Sequence, residues 1–212
     1  MALQPDKALI FRIVHVDNLP WMVEHGLQCR NAENPNPDFV SIGSQELIDN
    51  RRRREVPIPP GGTYGDYTPF YFTPYSIMMY NIKTGYGVPK RSNDEIIICV
   101  SSLYDIEARG QEFVFTNQHG CSQTDLKFSS DTAELEEYID WNLLRSRDFK
   151  NDLDDPGKGL RYQAEAMVRG DIPLEVLRGI VCYSDTVLST LTETIHPVYP
   201  NLNIQARPTW YF

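Results

Sequence analysis

The sequence predicts an α+β fold in a single domain spanning residues 1–212. Three observations point there. Runs such as KALIFRIVHV (7–16), DEIIICVSS (94–102) and EFVFT (112–116) are rich in β-branched and aromatic residues and are bounded by turn formers, as strands are. The helical stretches between them are short and follow no regular βαβ rhythm, which argues against a doubly wound parallel sheet. A length of 212 residues, 41% hydrophobic and 23% charged, suits one soluble domain with a substantial core.

After the first strand, Asn18 can cap a short helix, Pro20 suits its first turn and Gly26 its stop. NAENPNPDF (31–39) is a loop by composition, and SQELIDNRRRREVP (44–57) reads as a helix that ends before Pro57. IPPGGTYGDY (58–67) is irregular. TPFYFTPYSIMMYNIKTGYG (68–87) starts as an aromatic strand and turns helical near Ser76. TAELEEYIDWNLL (132–144) carries helical spacing, and KNDLDDPGKG (150–159) is a loop. RYQAEAMV reads as a strand, LEVLRGIVCY (174–183) as a short helix then a strand, and NIQARPTWYF as a last strand.

The net charge of −9 argues against bulk attraction to nucleic acid or to an anionic membrane, while leaving room for a local basic groove. Cys29, Cys99, Cys121 and Cys182 are far apart and form no CxxC pair; Cys99 and Cys182 lie in apolar runs and read as buried thiols in a reducing compartment. The N-terminal stretch lacks a secretory pattern and no run is long enough for a spanning helix, so a cytoplasmic protein is expected.

Few residues announce chemistry. Alternation places Glu165 with Gln163 and Met167 on one strand face and Ala164 and Ala166 on the other; a solvated charge and a residue set against a ligand both fit. Four consecutive arginines, Arg51 to Arg54, cannot all face one way on a helix; some must point to water, and one or two can turn into a cleft to grip a pyrophosphate. The aromatic stretch PFYF (69–72) with Tyr75, Tyr80 and Tyr86 suits a core or a surface for stacking on a nicotinamide or on unpaired bases. His15, His25, His119 and His196 form no zinc pattern, so no metal is expected; His119, following a strand, is the most site-like of them. GxGxxG, GxxxxGK[ST] and GxSxG motifs are absent.

Four blocks in order resemble one family. IVHVDNLPWMVEHGL resembles the HxTHxDNLxxIxxxGL opening of the DarT family, and RRRREVPIPPGG with DYTPFYFTPYSIMMY resembles its second block. EFVFTNQHG resembles FVFTDxHA, and QAEAMV followed by IPLEVL resembles the QAEFLV block; the terminal W-Y-F also fits. The resemblance covers nearly the whole chain. It implies the ADP-ribosyltransferase fold, a split mixed β-sheet core with peripheral helices. It also implies a toxin that moves ADP-ribose from NAD+ to bases of single-stranded DNA, with a macrodomain antitoxin as partner.

On the matching positions, the resemblance makes Glu165 the catalytic glutamate and Arg51 an assisting arginine that also contacts the dinucleotide. His15, Asn18, Leu19 and Tyr71 match cofactor-binding positions. Arg53 and His119 are expected at the DNA, with Tyr75, Tyr64 and Tyr86 as candidates for stacking on a base. Three departures stand out: Arg12 replaces the first histidine of the opening, and arginine there is compatible with NAD binding; Gly65 replaces a histidine of the HDY segment; Tyr75 replaces an arginine. The last two depart from a pattern that is mainly the thymine-modifying one, and they tilt the expected base toward guanine. Transfer to RNA or protein, or a non-catalytic nucleic-acid-binding module, are the competing readings.

The residue types suit the implied reaction. Loss of nicotinamide leaves an oxocarbenium-like ribosyl cation, which a nearby carboxylate stabilises and whose 2′-hydroxyl it can bind. The same carboxylate can accept the proton lost by the attacking base. A guanidinium holds the pyrophosphate while staying charged. Positioning sugar against base can supply ~7 kcal/mol or more of the barrier. An unpaired base avoids the cost of unstacking a duplex.

Overall fold

A computed structural model describes residues 3–212; the first two residues of the N-terminal stretch lie outside it. Its centre is an eight-stranded mixed sheet in the order β5-β4-β6-β2-β1-β3-β7-β8. In chain order the elements are β1 (Leu9–His15), α1 (Leu19–His25), α2 (Gln45–Arg52), β2 (Tyr67–Tyr71), α3 (Ile77–Thr84), β3 (Ile96–Ser102), α4 (Leu103–Ala108), β4 (Phe113–Thr116) and β5 (Phe128–Ser129). Then follow α5 (Leu135–Tyr138), α6 (Trp141–Ser146), α7 (Lys158–Arg161), β6 (Glu165–Arg169), β7 (Gly179–Cys182), α8 (Asp185–Ile195) and β8 (Ile204–Ala206). Every paired neighbour is antiparallel except β7 and β8.

The sheet comes apart at its middle. β1 pairs with β3 along its whole length, from Leu9 opposite Ser102 to His15 opposite Ile96. Against β2 it keeps one pair, Phe11 opposite Tyr71. Pro69 accounts for part of this. Its carbonyl accepts from Arg12 Nη1 at 2.9 Å, so the carbonyl faces β1. The nitrogen of a strand residue points the same way as its carbonyl, and proline has no N–H to give to a ladder there. A side chain of β1 thus replaces a backbone rung, and the two half-sheets diverge beyond it.

The other half is continuous. β2 pairs with β6 from Tyr67 opposite Arg169 to Tyr71 opposite Glu165. Alternation then sorts β6: Ala166 and Val168 enter the main core, while Met167 joins Tyr67, Tyr64, Val56 and Val114 in a smaller cluster. Glu165 shares the face of Met167. β3 is buried at every residue, as its unbroken apolar run demands. The C-terminus is docked, with Tyr211 Oη donating to the carbonyls of Ile96 and Val181.

Several elements differ from the sequence expectation. The helix expected over 44–57 stops at Arg52, after which Glu55 bridges to Thr63. The helix expected over 132–144 is broken into a 3-10 turn, α5 and α6; Asp140 interrupts it by capping Leu143 N–H at 3.0 Å. RYQAEAMV is not all strand: Arg161 closes α7 and the extended run begins at Glu165. The final strand is confined to Ile204–Ala206. The longest helix, α8, was not anticipated, although Ser184 caps Val187 N–H and Leu191 and Ile195 lie one turn apart on its buried face. Cys99 and Cys182 are buried free thiols as expected. Among the described residues no helix is long and apolar enough to cross a membrane.

Gly26 ends α1 at φ 76°, and a Cβ there would lie 2.3 Å from the carbonyl oxygen of Ile172, which pairs with Leu27. Gly26→Ala is expected to cost about 1–3 kcal/mol, from left-handed backbone and displaced pairing together, read as a lower urea midpoint.

Candidate active site

Where β1 and β2 diverge, a cleft of about 340 Å³ opens. Its floor carries Arg12 and His15 of β1, Pro69 and Tyr71 of β2, and Glu165 of β6. The loop between α1 and α2 covers it with Phe39, Val40 and Ile42, and α2 contributes Ile48, Arg51 and Arg52.

Glu165 is 1% exposed, which removes the solvated reading of this residue. Arg51 Nη1 donates to its Oε1 at 2.9 Å and Nη2 closes a fork on Oε2. The Gly120 N–H donates to Oε1 at 3.2 Å. Burial alone would raise the Glu165 pKa, but the charge and hydrogen bonds of Arg51, with smaller help from His119 and Gly120, hold it below the usual carboxylate range. Arg51 in turn is held above its ordinary value by Glu165 against the opposing effect of burial. A carboxylate offers about four acceptor positions, so these three bonds leave room for one more.

Tyr64 backs this pair. Its Oη donates to the Gly120 carbonyl at 2.7 Å, and the Arg51 guanidinium lies 5.2 Å from its ring centre. Burial, then the Glu165 charge, push the phenol pKa up. His119 lies on the same loop as Gly120; its Nδ1 accepts from the Cys121 N–H at 3.1 Å, which places the proton of the neutral ring on Nε2. Burial lowers its pKa, outweighing the attraction of Glu165.

On the β1 side, burial lowers the Arg12 pKa, and its Nε is buried without a hydrogen-bond partner among the described residues. His15 is buried, with Nδ1 accepting from the Asp17 N–H and Nε2 3.5 Å from a Glu95 oxygen. Tyr71 lies opposite Glu165 in the strand register, its pKa pushed up to about 12 by burial and by that carboxylate. Asn18 is buried just outside the cleft and bonds both the N–H and the carbonyl of Val40, at 2.8 and 2.9 Å, so it positions the covering loop.

Besides Asn18, four expected residues do not line the cleft. Leu19 is a core residue of α1, 2% exposed. Arg53 is exposed and does not line the cleft. Tyr75 is buried: its Oη donates to Thr209 O, Phe212 packs against its edge and Arg147 covers its ring at 3.5 Å, so no face is free for a base. Tyr86 is 76% exposed and is not among the cleft-lining residues. Of the arginine run, Arg51 and Arg52 reach the cleft, while Arg54 donates to Ser122 O and steadies the 119–122 loop. Sequence reasoning missed Gly120, Arg52, Gln163 and the covering loop. A backbone N–H carries no residue signature, and the loop's role depends on a contact 22 residues away in sequence. Among the described residues no cluster could hold a metal ion.

The family model described as "ssDNA thymidine ADP-ribosyltransferase, DarT" matches residues 11–212. The chain belongs to the DarT family. A DNA ADP-ribosyl transferase of Escherichia coli O127:H6 (strain E2348/69) is 42% identical over 212 residues, covering 100% of this chain and 96% of that protein. One from Thermus sp. (strain 2.9) is 31% identical, with 98% of each chain covered. The solved structure of Thermus sp. 2.9 DarT in complex with ADP-ribosylated ssDNA superposes with a TM-score of 0.88 at 28% identity, covering 98% of each chain. The same DarT in complex with NAD+ gives 0.82 at 29% identity, covering 98% of this chain and 99% of that one. The α+β architecture read from the sequence is therefore the DarT fold, and its split lies between β1 and β2.

The His119 pKa lies below its ordinary 6.5 in the folded state, so the folded chain binds fewer protons there than the unfolded one. Its contribution to stability is complete above pH 6.5 and is lost as pH falls through the folded value. Urea midpoints should therefore decline on acidification below pH 6.5, and His119→Gln should flatten that part of the profile.

Proposed function

We propose that this DarT protein, an NAD-dependent DNA ADP-ribosyltransferase, is a single-domain toxin that transfers ADP-ribose to thymine in single-stranded DNA. One observation carries the chemistry: a buried Glu165 at the floor of the split, held by Arg51 and the Gly120 N–H with one acceptor position open. The bond between nicotinamide and the ribose C1′ breaks with its electron pair leaving on nicotinamide. The cation left on the sugar is stabilised by Glu165, whose open position suits the ribose 2′-hydroxyl. The ring nitrogen of thymine bonds to C1′ and releases its proton, to Glu165 or through water.

The lowered pKa makes Glu165 a better electrostatic partner than base, since a strong base needs a pKa nearer the working pH. Arg51 fits a second duty there, neutralising thymine as its proton departs. Arg12, with a spare buried donor, suits the dinucleotide phosphates, and Tyr71 and His15 line the same half of the cleft. Neutral His119 can donate from Nε2 to the incoming base.

The choice of thymine revises the tilt toward guanine. Tyr75, one of the two departures behind that tilt, is a core residue and cannot bear on the base. The other, Gly65, makes room for neighbouring side chains. With these reasons weakened, the thymidine in the family description is the better guide.

Oligonucleotides differing only in carrying thymine or guanine, incubated with NAD+ and read by mass spectrometry, should show one added ADP-ribose on the thymine strand alone. Modification of guanine alone would reverse the base, and acceptance only of RNA or protein would replace the substrate class. Glu165→Gln should lower the rate at least about 100-fold with its circular dichroism unchanged. The toxin role predicts that expression arrests growth, that Glu165→Gln does not, and that a macrodomain hydrolase acting on the adduct restores growth.

A further inference from the structure

We propose that Arg52 grips a phosphodiester of the DNA strand at the mouth of the cleft, and that Asn31 and Gly65 position it for that contact. This rests on the reading of the substrate as single-stranded DNA.

Arg52 is the last residue of α2, exposed and lining the cleft next to Arg51, whose own guanidinium is taken up by Glu165. Its Nε donates to Asn31 Oδ1. Asn31 is itself fixed: its amide nitrogen donates to Asp66 Oδ1 at 2.7 Å, and its backbone N–H donates to the Gly65 carbonyl at 2.8 Å. Asp66 Oδ2 accepts in turn from Thr63 N at 2.7 Å and Thr63 Oγ1 at 2.9 Å. The side-chain oxygen Oδ1 of Asn31 therefore faces Arg52, and the guanidinium plane is set through Nε. Its two terminal amino groups have no partner among the described residues. They form a pre-oriented fork, the geometry that matches a phosphate.

Gly65 belongs to the same device. A Cβ there would lie 2.7 Å from Asn31 Nδ2 and 2.8 Å from Arg52 Cγ. A side chain at position 65 and the Asn31–Arg52 pair compete for one volume, which gives a physical reason for glycine at a position where the resemblance led us to expect histidine. The net charge of −9 adds to the case: bulk electrostatics repel DNA, so affinity must come from cations fixed beside the cleft. A phosphate is favoured over a base because Arg52 is at the exposed rim, whereas the modified base must reach the buried carboxylate inside.

Fluorescence anisotropy of a labelled oligothymidylate, measured against salt, tests this without requiring turnover. Arg52→Ala should weaken binding about 10-fold and reduce the slope of log affinity against log salt by about 0.7, the change for one phosphate on a single strand. Arg52→Lys should keep the slope while recovering only part of the affinity. Gly65→Ala, with Arg52 intact, should reproduce the loss by displacing the pair, and Asn31→Ala should give an intermediate loss. In turnover, Arg52→Ala should raise KM for the oligonucleotide and leave KM for NAD+ within about 2-fold. Unchanged affinity in Arg52→Ala, an unchanged salt slope, or a matching rise in KM for NAD+ would each overturn the assignment. If the wild-type chain binds the strand but adds no ADP-ribose to it, the transferase reading fails while the assignment of Arg52 stands or falls on the anisotropy data.

Discussion

The ion pair between Arg51 and Glu165 is the constraint around which the rest of the site is arranged. An isolated carboxylate cannot stay ionised at 1% exposure, because the loss of hydration costs several kcal/mol. A forked guanidinium and a backbone N–H offset that cost, and each has to be delivered from a different part of the chain. α2 must end close to the strand, the 117–122 loop must fold back over it, and Tyr64 must tie that loop down through Gly120. The buried charge is thus available only in the folded arrangement, and removing Arg51 would leave it without its ion-pair partner.

The divergence of β1 from β2 is the second requirement. The cleft lined by Arg12, Tyr71 and Glu165 lies along this divergence. Pro69 withholds a donor and Arg12 caps the carbonyl that remains, so the backbone carbonyl at the opening is satisfied. Strict register is kept on both flanks of the opening, although the two walls meet at a single residue pair.

Much of this was legible in the residues. The strands rich in β-branched and aromatic residues, β1, β3 and β4, lie close to where that content puts them, and α1 has the start and stop that Asn18, Pro20 and Gly26 imply. Glu165 and Arg51 came from the resemblance, not from pattern, because alternation applied to RYQAEAMV started the strand four residues early and favoured a solvated charge over one in a cleft. Tyr75 misled for a related reason. Its environment is made by Phe212 and Arg147, whose nearness depends on tertiary contacts that no local window contains. Gly65 could be seen as a departure but not explained, since its neighbours Asn31 and Arg52 are brought to it by folding.

The bond pair from Asn18 to Val40 has a further consequence. It supplies a donor and an acceptor to one residue, so it acts as an artificial ladder rung in an otherwise irregular segment. The stretch from Gln28 to Gly43 is thereby divided into two spans with separate fates. On the outer side Asn31 is held by Asp66 and Gly65, which leaves the prolines and asparagines after it as the span where chain length can change, while the residues that follow Val40 keep their place along the cleft. An insertion in that outer span would therefore leave the lining of the cleft where it is.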